Sequence, residues 1–134
     1  MNLKTITELI KSNTDEINRF KTEIKKVAPE VPTLNSYTDD DFALYLIQNG
    51  IRPDDSDYAT LKANLILQYK KRQEYLTNRD YYITLNKILN NLITFYMDQL
   101  REPTEIELKT LAKNTGIQEN IDKSILYIQE NLLA

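Results

Sequence analysis

The chain contains no cysteine and no histidine. The first absence excludes disulfides, thiolate nucleophiles and thiolate metal sites. The second removes the usual general base and the commonest transition-metal ligand. Only two glycines are present, Gly50 and Gly116, so a glycine-rich phosphate cradle cannot be built. No apolar run approaches the roughly 20 residues that cross a bilayer. The opening "MNLKTITELIKSN" has neither an uninterrupted apolar stretch nor a small-residue cleavage site, so no secretory leader is expected. These absences point to a cytoplasmic or virion protein, assembled inside a cell and not secreted, with no membrane contact, cofactor, metal or small-molecule substrate. Carboxylates, lysines, tyrosines and hydroxyls are what remains for catalysis, and a non-enzyme is the expectation.

What is present describes a folded chain. With 134 residues, of which 41% are hydrophobic and 28% charged, the composition is that of a globular protein able to bury a core. The formal net charge of −3 is unevenly spread. Residues 38–57 carry one basic and six acidic groups, whereas residues 58–101 carry seven basic and three acidic ones. The second of these segments is the one candidate basic surface.

Periodicity reads as helix throughout, with no convincing alternation of period two. Leu3, Ile6, Ile10, Asn13, Ile17, Phe20, Ile24 and Val27 alternate in steps of three and four, a heptad seam with one polar member. A seam this narrow is expected to pack on a partner helix, a neighbouring copy included, with folding back onto the chain's own helices as the alternative. Pro29 and Pro32 break the helix after it. The expected organisation is therefore a coiled-coil-like helix over 1–28, a proline-bearing linker over 29–37 and a helical domain over 38–134.

Within that domain, Thr38 and Asp39 to Asp41 open a short helix. Gly50 and Ile51 should close it with a left-handed residue and an apolar contact. Asp54 or Asp55 should cap the next helix near Ser56, and "TNRD" at 77–80 is expected to separate it from another running to Arg101. Pro103 stops that one, and "TEIE" at 104–107 has the form of a capping box. Gly116, followed by Ile117, should turn a corner into the last helix as a left-handed residue, the same device as Gly50 and Ile51. The expectation is an all-α bundle of about six helices.

Four local patterns bear on function. "LAKNTGI" resembles the turn of a helix-turn-helix, but Ile121 follows Gly116 by one residue too few, and Glu119 and Asp122 would repel phosphate. A structural corner is the better reading. "DDSDYATLKANL" opens with calcium-loop spacing yet lacks the loop's glycine and final glutamate, so helix-start anions explain it better. The nine tyrosines read mostly as half-buried core residues. Lys70, Lys71, Arg72 and Arg79 form a basic run that is either a solvated face or a non-specific contact with nucleic acid or an acidic partner.

A wider likeness covers residues 38–101. "FALYLIQNGIRPDDSDYATLKANLILQYKKRQEYL" followed by "LNKILNNLITFYMDQLREP" resembles the helical head–tail connector proteins of tailed phages. In that pattern a short helix ends in an arginine-bearing turn, an acidic stretch caps a long helix, and a further helix ends in a tyrosine-containing, charged segment. Ile51, Arg52, Asp54, Asp55, Asp57, Leu61 and Leu65 stand at the corresponding positions. The resemblance implies a non-enzymatic ring subunit between portal and tail. The alternatives are a small nucleic-acid-binding regulator using the basic run and an inhibitor that docks on a host protein.

Overall fold

The computed structural model describes residues 1–26 and 39–134. Val27, the proline-bearing linker and the Thr38 cap therefore lie outside the described residues. Among the described residues there are five α-helices and no strand: α1 (Leu3–Lys26), α2 (Asp39–Gln48), α3 (Tyr58–Gln99), α4 (Glu105–Ala112) and α5 (Gln118–Asn131). The class is all-α, as expected, with one helix fewer. The difference lies at "TNRD", where no break occurs and α3 continues for 42 residues. None of Thr77, Asn78, Arg79 and Asp80 forbids helical dihedrals, since the segment holds neither proline nor glycine.

The chain divides into two compact units. The terminal unit joins Met1–Lys21 to Thr77–Ala134, and the middle unit is Thr22–Leu76. Where the heptad helix was expected to stand apart, most of α1 belongs with α4, α5 and the second part of α3.

In the terminal unit, α3 contributes Leu85, Ile88, Leu89 and Leu92 to the core, all at most 2% exposed. Ile6 comes from α1, Leu108 and Ala112 from α4, and Ile121, Ile125 and Ile128 from α5. Burying a side chain of this size contributes roughly 1.5–3 kcal/mol against leaving it in water. The amide of Asn13, 3% exposed, donates from Nδ2 to Asn86 Oδ1 at 3.0 Å. Asn86 Nδ2 in turn donates to the Ile10 carbonyl at 3.3 Å. A buried amide is tolerated in the core because this network engages it. In the middle unit the buried Phe42 meets Tyr69 edge-on, with ring centroids 5.6 Å apart, and Leu65 and Ile66 pack around the pair.

The helix ends follow local chemistry. Gly50 is left-handed (φ 80°), its N–H donates to Ile47 O, and the Ile51 N–H donates to Leu46 O at 2.9 Å, which closes α2 as a Schellman motif. Thr104 and Glu107 form the expected capping box, each side chain bonding the other's backbone N–H at 3.2 and 3.0 Å. Asp55 does otherwise: its carboxylate accepts from the Arg52 N–H at 2.8 Å, and α3 begins only at Tyr58.

The corner between α4 and α5 also departs from expectation. Its left-handed residue is Asn114 (φ 64°), not Gly116. Asparagine adopts that conformation more readily than most residues because its short side chain bonds locally. Gly116 is required for a different reason: a Cβ there would land on the Thr84 hydroxyl, which itself donates to Thr115 O at 3.2 Å.

Two predictions follow from these contacts. Gly116→Ala destabilises the fold by about 1–3 kcal/mol, the range for overfilling a packed contact. Thr84→Ala recovers part of that loss, so a double-mutant cycle by urea denaturation shows non-additivity; strict additivity would place the clash elsewhere. Asn13→Leu leaves the Asn86 acceptor without its donor and lowers stability by about 1–3 kcal/mol in the same assay.

Candidate functional site

The seam residues of α1 are distributed as follows. Ile6, Asn13, Ile17 and Phe20 are buried; Leu3, Ile10 and Ile24 are half-buried; Val27 is outside the described residues. Phe20 stacks on Tyr82 with centroids 6.1 Å apart, and Ile6 and Ile10 join the core of the terminal unit. Residues of the same chain thus cover the four buried members. Ile24 falls in the middle unit.

The basic run divides between the two units. Successive residues of a helix turn by about 100°, so Lys70, Lys71 and Arg72 leave α3 in three directions. Lys70 and Lys71 are exposed, while Arg72 is half-buried with one guanidinium nitrogen enclosed and unpartnered. Arg79 belongs to the other unit and pairs with Asp80 at 3.0 Å. Lys70 and Lys71 thus face solvent from the middle unit, while the Arg79 guanidinium of the terminal unit is taken by Asp80.

A different surface stands out at the end of α3. Leu100 is left-handed (φ 55°) and 80% exposed. Its N–H donates to Tyr96 O at 2.8 Å, the single bond of a left-handed helix stop that glycine ordinarily fills. An L-residue with a Cβ costs about 1–2 kcal/mol in that conformation. Met97 and Ile106, on the flanking helices, are 65% and 78% exposed.

The segment after Leu100 is firmly held. Arg101 makes a two-pronged pair with Glu107 at 2.8 and 2.9 Å, and its guanidinium lies 5.2 Å from the Phe95 ring centroid. The Arg101 hydrogen bonds, and then the Thr104 N–H, lower the Glu107 carboxyl to about 2. The corner thus presents three exposed apolar side chains beside a fixed ion pair. Nothing in the sequence marks Leu100 as left-handed, because leucine carries no turn signal; only the following Pro103 hints at a helix end.

Two recesses lie along α3 in the terminal unit. One, of about 230 Å³, is lined by Asp80, Ile83, Thr84 and Lys87 of α3 and by Ile117 and Asn120. The second, of about 410 Å³, takes Thr77, Asn78 and Tyr81 from α3 and Lys123, Leu126 and Tyr127 from α5. Asn120 lines both. Burial, then the neighbouring Tyr82 and Tyr127, push the Tyr81 phenol up from its ordinary value. Among the described residues no cluster of three or more acidic side chains could hold a metal, and no helix is long and apolar enough to cross a membrane.

Leu100→Gly tests the corner. Relief of the left-handed leucine, less the added freedom of the unfolded chain, should raise stability by about 0.5–1 kcal/mol in thermal or urea denaturation. A loss of stability would mean that the leucine side chain packs on the fold and is not held out from it. Compared with models of protein families, with curated proteins and with solved structures, the chain matches none.

Proposed function

We propose that the chain is a non-enzymatic structural or adaptor protein acting through helix-mediated protein contacts, its most concrete form being a head–tail connector subunit of a tailed phage. The observation that carries the reading is Leu100. A leucine 80% exposed in a backbone conformation suited to glycine costs stability and gains little packing among the described residues. Contact with another protein would return that cost, and exposed Met97 and Ile106 extend the apolar surface.

The arrangement of residues 39–99 supports the connector form. A short helix ends at Gly50 and Ile51, Arg52 stands in the turn, Asp54, Asp55 and Asp57 precede the long helix, and Leu61 and Leu65 lie on it. The further helix of the connector pattern is here continuous with the long one.

Solution mass by light scattering, alone and with duplex DNA, tests the proposal. The expected result is a closed multi-subunit mass that DNA does not change, reduced toward the monomer by Leu100→Asp. A monomer indifferent to that substitution would overturn the proposal. A small species whose DNA binding falls steeply with salt, and falls further when Lys70, Lys71 and Arg72 become Gln, would favour a nucleic-acid-binding regulator.

A further inference from the structure

Two buried polar side chains of the terminal unit have no hydrogen-bond partner among the described residues: the Ser124 hydroxyl, which is enclosed, and the Asn120 carboxamide, which borders open space. Asn120 is 3% exposed, on the buried face of α5, yet its carboxamide makes no hydrogen bond among the described residues. A carboxamide so little exposed has few waters to bond, and native proteins usually give such a group a protein partner. Its nitrogen and oxygen are not sealed in: Asn120 forms part of the wall of both recesses beside α3. We propose that these recesses form one groove that binds an extended peptide segment of a partner protein, with the Asn120 carboxamide pairing with a peptide unit of that segment. The proposal deepens the adaptor reading, and rests on it, by naming what is recognised.

The chemistry fits a peptide. A carboxamide offers an N–H donor and a C=O acceptor side by side, the complement of what a peptide unit presents along an extended chain. The length fits as well. The α3 residues of the groove run from Thr77 to Lys87, a helical rise of about 15 Å. An extended chain covers that with about five residues.

The walls add side-chain preferences. Ile117, 63% exposed, stands in the first recess and Leu126, 54% exposed, in the second, so each offers an apolar contact on either side of Asn120. Charge differs between the two. In the first, Asp80 is taken by Arg79, and Lys87 has no ion pair among the described residues. In the second, Lys123 is taken by Glu119, and Glu130 has no ion pair among the described residues. A segment with apolar residues flanking its central peptide unit, an acidic residue toward Lys87 and a basic one toward Glu130 would satisfy every group.

The test uses the full chain and an array of immobilised ten-residue peptides of random sequence. Binders are resynthesised and measured in solution by calorimetry. Peptides with the stated charge and apolar pattern should bind, and Asn120→Ala should weaken them at least tenfold. Methylating the nitrogen of one peptide bond in the binder should cause a similar loss, with no further loss in the Asn120→Ala chain. Because the amide has no partner among the described residues, Asn120→Ala should leave the melting temperature unchanged or raise it.

Leu126→Lys, an exposed substitution that does not threaten the core, should also weaken binding. Absence of any peptide binder, or binders indifferent to both Asn120→Ala and Leu126→Lys, would overturn the groove. A lowered melting temperature in Asn120→Ala would assign the amide to core packing and equally overturn its role. The mass of the Asn120→Ala chain should match that of the wild type, so failure of the groove and failure of the connector reading are read separately.

Discussion

Thr84 of α3 and Gly116 of the α4–α5 corner approach each other so closely that no β-carbon fits between them. The terminal unit is arranged around that contact. It allows the corner backbone to lie against α3, with the Thr84 hydroxyl bonded to the Thr115 carbonyl as the seal. From there α4 carries Leu108 and Ala112, and α5 carries Ile121, Ile125 and Ile128, onto the same apolar row of α3. One of the two recesses beside Asn120 is lined by Thr84, Thr115 and Gly116 of that same contact.

Leu100 and Asn114 occupy the same backbone region by opposite means. Asn114 is a residue that adopts it readily, whereas Leu100 adopts it against its own preference. The difference separates a turn that merely changes direction from one that also displays a side chain. A glycine at position 100 would end α3 at least as well, but would offer a partner nothing to hold. That is the sense in which the α3–α4 corner reads as a surface and the α4–α5 corner as a joint.

Features confined to one turn were legible in the sequence. The capping box of Thr104 and Glu107 and the Gly50–Ile51 helix stop each depend on residues three to five apart, and each formed as its pattern implies. The seam of α1 was legible as a seam, and Asn13 as a residue needing a polar partner. That the partner would be Asn86, 73 positions away in the same chain, was not, because periodicity identifies a face and not what covers it. At "TNRD" the polar residues were compatible with loop and with helix, and tertiary context chose helix. Gly116 was singled out for a left-handed dihedral it does not adopt, whereas what excludes a side chain there is Thr84, a neighbour in space. Leu100, the exposed corner and the unpartnered Asn120 amide had no sequence signal at all, since each arises from where the backbone places an ordinary residue.

The length of α3 has a further consequence. One uninterrupted helix belongs to a terminal unit with ten buried residues in its apolar cluster and to a middle unit whose cluster, among the described residues, has two. Among the described residues, backbone hydrogen bonds of identical type along one helix are therefore guarded by very different amounts of packing. Amide hydrogens near Leu85 to Leu92 exchange with solvent only when the terminal unit opens, while those near Leu61 to Tyr69 are released by fraying from the start of the helix. A single helix thus records two separate opening equilibria along its length, and the change in exchange rate along it marks the boundary between the units.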